Sequence, residues 1–245
     1  LPAAQTARPM SLRRLFSNSP LGTIGIFLLG GVYATQSGMG AVFGSQIGLS
    51  ADQIALFVAM LFAGALLLQY PIGWLSDRMD RRMLIFGASA LGAVCCGLGW
   101  LGGSDRWALM AAAFLAGGVT TPLYALFLAY TNDTLSPEEM PAASGGLVLT
   151  FGVGAILGPL GAGWAMGRFD PYAFWLSLGA LFAAIAVYAL FRMTQRAVVP
   201  PEDTESYLGV VPTASPVAVE AAGAWAAEQA EAEREAERNE VDAPS

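Results

Sequence analysis

The chain has 245 residues, of which 55% are hydrophobic and 13% charged, with a mean hydropathy of +0.54 and a formal charge of −7. Soluble domains carry about 25% charged residues, so the composition excludes an ordinary soluble domain and places the chain in a lipid bilayer. The negative charge is local: from Glu202 onward there are 11 acidic residues against Arg234 and Arg238, and everything before that segment is net +2.

Every basic residue is arginine. Lysine and histidine are absent, so the side chain that ordinarily titrates near neutrality is missing. Cys95 and Cys96 adjoin each other inside an apolar run without metal-ligand spacing and read as small buried helix residues. No metal site, cofactor or nucleic-acid partner is expected. The chain begins at Leu1 without a methionine, and its first 19 residues lack the apolar core of a signal peptide, so a truncated or processed start is expected.

Crossing about 30 Å of hydrocarbon at about 1.5 Å per residue takes roughly 20 apolar residues. Six segments reach that length: 21–42, 53–75, 83–101, 107–130, 143–166 and 171–192. Their short connections predict antiparallel neighbours. In lipid each backbone group must be satisfied within its segment, which excludes open sheets, and the weak alternation excludes a barrel. The expected fold is an all-α membrane protein with a six-helix bundle over residues 20–196.

The first span carries Tyr33, Gln36 and Ser37 three and four residues apart near its middle. Such spacing puts them on one helical face, and polar groups at that depth face protein or water. The second span ends in Gln69, Tyr70 and Pro71, a weak place in the helix, and then in Gly73-Trp-Leu-Ser-Asp-Arg-Met-Asp-Arg-Arg82. In that turn a carboxylate at Asp77 can meet a helix N-terminus, and Arg78, Arg81 or Arg82 can bridge to a carboxylate or a helix C-terminus. These arginines equally serve to fix topology.

The fourth span offers Thr120, Thr121 and Tyr124 at a depth comparable to Tyr33, with Pro122 freeing a backbone carbonyl, and it ends at Asn132-Asp133. In the fifth, Gly154 and Gly158 lie four apart and permit close helix approach, and Pro159 permits a kink. A packing seam and a bending point are both open there. Spans one to three and four to six have similar lengths without a clear sequence repeat. No Asp, Glu or Arg lies at the centre of a span, so ion coupling would rest on rim groups such as Asp77 and Asp133 or on residues outside this chain.

Orientation follows from arginine near the span ends. Arg8, Arg13, Arg14, Arg78, Arg81, Arg82, Arg192 and Arg196 collect on one side, against Arg106 and Arg168 on the other, which places both termini in the cytoplasm. Beyond the bundle, residues 197–219 read as a flexible linker, and residues 220–245, rich in Ala and Glu, as an acidic, partly helical cytoplasmic tail.

The turn with Gly73, Asp77, Arg78, Arg81 and Arg82 resembles the cytoplasmic turn motif of the major facilitator superfamily, in which a second glycine stands where this chain has Asp80. The match extends over all six spans and suits the second half of a twelve-helix transporter. Thr121-Pro-Leu-Tyr124, Asn132-Asp133 and the glycine-rich fifth span resemble the YcaD-like bacterial branch. The resemblance implies two inverted three-helix repeats, a missing N-terminal six-helix half or a dimer partner, and residues 1–19 as the end of the linker between halves. It also implies the bacterial inner membrane as the location and transport of a small solute by alternating access. Tyr33, Gln36, Ser37, Thr120, Thr121 and Tyr124 would line the central cavity, and the turn would act as the gating motif.

An enzyme is not expected, because the chain has no histidine, no Gly-x-Ser-x-Gly element and no carboxylate pair within a span. The competing class is a non-transporting membrane scaffold or sensor with the acidic tail as its output.

Overall fold

A computed structural model describes residues 11–103, 105–136 and 139–195. The expectations for residues 1–10, Arg196, the 197–219 linker and the 220–245 tail fall outside these residues. Within them the chain is helical. α1 (Leu12–Asn18) is capped by Ser11, whose hydroxyl accepts from the Arg14 N–H. The first span joins α2 (Pro20–Ala34), a π-helical turn (Thr35–Met39) and α3 (Gly40–Gln46). Pro20 opens it where a missing N–H is tolerated.

α4 (Ala51–Ser76) starts from a reciprocal capping box in which the Ser50 hydroxyl accepts from the Gln53 N–H and the Gln53 side chain accepts from the Ser50 N–H. α5 (Arg81–Leu101) and α6 (Arg106–Asn132) start at Asp80 and Asp105, whose carboxylates cap the first helical N–H groups. α7 (Met140–Arg168) and α8 (Ala173–Met193) complete the bundle. The six expected spans are present. The first extends past Val42 to Gln46, and the fifth begins three residues before Ala143. Helix continues through Pro71, Pro122 and Pro159.

Three helix pairs carry most of the packing: α4 with α6, α2 with α7, and α5 with α8. Glycines permit the closest approaches, since lipid supplies no hydrophobic drive between helices and association leans on contact between backbones. A Cβ at Gly64 on α4 would collide with the Phe114 carbonyl on α6, and one at Gly154 on α7 with the Phe27 carbonyl on α2. Gly117 lies against the Leu61 backbone, Gly30 against the Phe151 carbonyl, and Gly158 against the Gly31 backbone. The seam expected for Gly154 and Gly158 is therefore an interface with α2.

These contacts reveal the repeat that the sequence pattern concealed. Phe27-Leu-x-Gly-Gly-Val32 on α2 matches Phe114-Leu-x-Gly-Gly-Val119 on α6, and Gly64-Ala65 on α4 matches Gly154-Ala155 on α7. Gly73-Trp-x-x-x-Arg-x-Asp80 has its counterpart in Gly163-Trp-x-x-x-Arg-x-Asp170. A repeat is thus present, retained where backbones cross and where turns are capped. Asp80 accepts from the Arg82 N–H at 2.9 Å, and Asp170 accepts from the Tyr172 N–H at 2.6 Å. Three spans per copy is an odd number, so the second copy enters the membrane from the opposite face.

The first span and α6 hold the centre. In α6, 83% of the most apolar stretch is buried, against 17% in α4 and 22% in α7. α1 folds back on the bundle: Leu15 is fully buried beside Gly146, and Arg14 pairs with Glu139 just before α7.

Candidate functional site

Two groupings of polar residues stand out, one at mid-span and one at the arginine-rich rim. At mid-span the π-helical turn admits an extra residue per turn and shifts the phase of the first span, a feature that recurs at functional sites. The turn buries Thr35 and Gln36 and leaves Ser37 exposed. Gln36 is 5% exposed, and its Oε1 accepts from the Thr120 hydroxyl of α6 at 2.9 Å. Thr120 also donates toward Ala116 O, a geometry its single proton satisfies only in alternation. Gln36 Nε2 and Thr35 Oγ1 are buried without a hydrogen-bond partner.

Beside this junction is a cavity of about 20 Å³, large enough for about one water molecule. Tyr33, Gln36, Ser37, Thr120 and Thr121 line it together with apolar residues of α4. Five of the six expected cavity residues therefore meet at one place. The sixth, Tyr124, is not among the lining residues and packs edge-on against Phe151 at 5.5 Å, with Tyr33 on the same ring at 5.8 Å. A larger groove of about 340 Å³ between α2, α7 and α8 is lined by Gly154, Gly158, Phe27 and aliphatic side chains. Its hydroxyl, that of Ser177, is committed to Ala173 O, so the groove presents little for recognising a polar solute.

At the rim, Gly73 is buried in the last turns of α4, and Asp77 ends that helix by donating its N–H to Gly73 O at 3.3 Å. The exposed Arg78 folds back, with its guanidinium 4.1 Å above the Trp74 ring and Nη1 donating to Trp74 O. Arg81 is buried at the start of α5, and its Nη1 donates to both carboxylate oxygens of Asp133 at the end of α6, at 2.5 Å. The two side chains are 2% and 7% exposed. Arg81 Nε and Nη2 lack hydrogen-bond partners. Arg82 is also buried and reaches the Asp80 carboxylate.

A family model for the Major Facilitator Superfamily matches residues 22–228. The chain belongs to that superfamily. Among curated relatives, the MFS-type transporter YfkF of Bacillus subtilis (strain 168) is 27% identical over 190 residues, covering 75% of this chain and 48% of YfkF. YcaD of Escherichia fergusonii is 26% identical over 139 residues, covering 57% of this chain and 35% of YcaD. YE1530 of Yersinia enterocolitica is 23% identical over 188 residues, covering 77% and 46%. The chain spans about half or less of the length of these relatives. As a member of the superfamily with six membrane-length apolar helices among the described residues, it is a multi-pass membrane protein of a transporter family.

Within this superfamily member the departure at Asp80 has a physical account. The residue adopts φ −56° and ψ 118°, a conformation that needs no glycine, and its carboxylate caps α5 while holding Arg82. In the sequence Asp133 is a rim group and Arg81 an arginine able to bridge to a carboxylate; only the fold makes them partners. Arg14 with Glu139 was likewise invisible, since their contact requires α1 to fold onto α7.

Proposed function

We propose that this superfamily member moves a small solute across the bacterial inner membrane by alternating access, working with a second six-helix half and with both termini in the cytoplasm. The contact between Gln36 and Thr120 carries this reading, because it joins polar groups of the first and fourth spans at mid-depth, where such groups are otherwise expensive. Binding at that depth between two rocking bundles is the working principle of repeat-built carriers.

In this proposal the turn from Gly73 to Arg82 is the gating element. The pair of Arg81 and Asp133 locks the cytoplasmic corner in one state, and the two unbonded guanidinium nitrogens leave Arg81 capacity for another partner when the bundle tilts. A conformational equilibrium shifts only through contacts that differ between its two states, and a buried ion pair is such a contact. The exposed Asp77 at the end of α4 is placed to meet the second half.

The test is flux. The chain is joined to six preceding spans, reconstituted in liposomes and assayed with a solute panel, and Asp77→Ala and Arg81→Gln are each expected to slow transport about tenfold, the scale of a lost charge-assisted contact. A well-folded protein that moves no solute would refute the reading.

A further inference from the structure

We infer that the mid-span junction reads an uncharged solute group through the Gln36 carboxamide, with Nε2 donating to a carbonyl or hydroxyl oxygen of the solute. This rests on the transport reading above and adds the chemistry of the group recognised. Gln36 lines the small cavity, is almost fully buried, and has its oxygen already engaged by Thr120. In this structure the oxygen faces Thr120 on α6, and the nitrogen has no hydrogen-bond partner within the bundle. A buried donor is costly to leave unpaired, and a water in the adjoining cavity or a solute oxygen that displaces it would satisfy it.

The neutrality of the bound group follows from what surrounds it. The cavity is lined by a carboxamide, hydroxyls and apolar side chains. Among the described residues, the arginines and carboxylates occupy helix ends and turns. A carboxylate or ammonium placed beside Gln36 would be desolvated without a counter-charge from this bundle. Tyr33 lines the cavity and packs on Phe151, so the neighbouring wall is aromatic. The geometry suits a neutral acceptor carried on an apolar body.

Three probes of one shape separate the possibilities: N-acetylphenylalanine amide, which is neutral, N-acetylphenylalanine, an anion, and phenylalanine amide, a cation. The readout is the unfolding midpoint of the detergent-purified full chain titrated with each. The neutral probe is expected to stabilise the chain at a concentration at least about tenfold lower than either ion. Gln36→Leu is expected to remove that preference, and Gln36→Glu, which keeps an oxygen for Thr120, to transfer it to the cation. Equal response to an ion, an unchanged response in Gln36→Leu, or no shift with any probe overturns the inference. Transport of a charged solute that Gln36→Leu leaves intact would defeat it while leaving the transport reading standing, whereas absence of all flux would defeat the transport reading itself.

Discussion

The two repeat copies build equivalent corners on opposite faces of the bundle from different chemistry. At the arginine-rich face, the start of α5 meets the end of α6 through Arg81 and Asp133. At the other face, the start of α8 meets α3 through rings: Phe43 stacks on Phe174 at 4.8 Å and contacts Tyr172 and Trp175 edge-on, while Phe57 adds two further contacts. In the copied turns, Arg81 and Arg82 correspond to Pro171 and Tyr172. The lesson is that a common backbone corner was given a directional, charged contact on one face and a packed, non-directional one on the other.

The sharpest way to break this contrast is to orphan one charge. Asp133→Ala should lower the stability of the detergent-purified chain by about 3–5 kcal/mol, since it leaves Arg81 buried without its carboxylate. In Arg81→Gln with Asp133→Asn much of that loss should return, because no unpaired charge remains. A double-mutant cycle on unfolding midpoints measures the coupling, and additivity would show that the pair is not a unit.

At the opposite corner, Phe43→Ala should cost about 3 kcal/mol through a cavity among Phe57, Phe174 and Trp175. The same substitution should leave flux less affected than Arg81→Gln, if only the charged corner exchanges partners. The seams offer a symmetric check: Gly64→Val and Gly154→Val should each cost about 1–3 kcal/mol by pushing a side chain into the carbonyl of Phe114 or Phe27. Unequal losses would mean that the two copies are not mechanically equivalent. The smallest effect belongs to the exposed pair of Arg14 and Glu139, where Arg14→Gln should change stability by about 0–1 kcal/mol and less still at high salt.

The spans were legible because lipid admits only segments that satisfy their own backbone, and 20-residue apolar runs announce themselves. Tyr33, Gln36 and Ser37 were legible as a group for the same reason: a polar residue at mid-span is conspicuous. The repeat was not legible, because its matches are short and scattered among interchangeable aliphatic residues, and a glycine shows its purpose only when another helix lies against it. The same holds for Asp80, which breaks the motif in sequence yet caps α5 in the structure.

Chain order and solvation alone therefore dictated an all-helical, six-span bundle with its charges at the edges. Tertiary packing decided which edge charges pair, which small residues touch, and that Gln36 meets Thr120 at mid-span. The reason is range: burial of a helix in lipid is a property of its own residues, whereas Arg81 and Asp133 stand 52 positions apart and become neighbours only when α5 and α6 fold against each other.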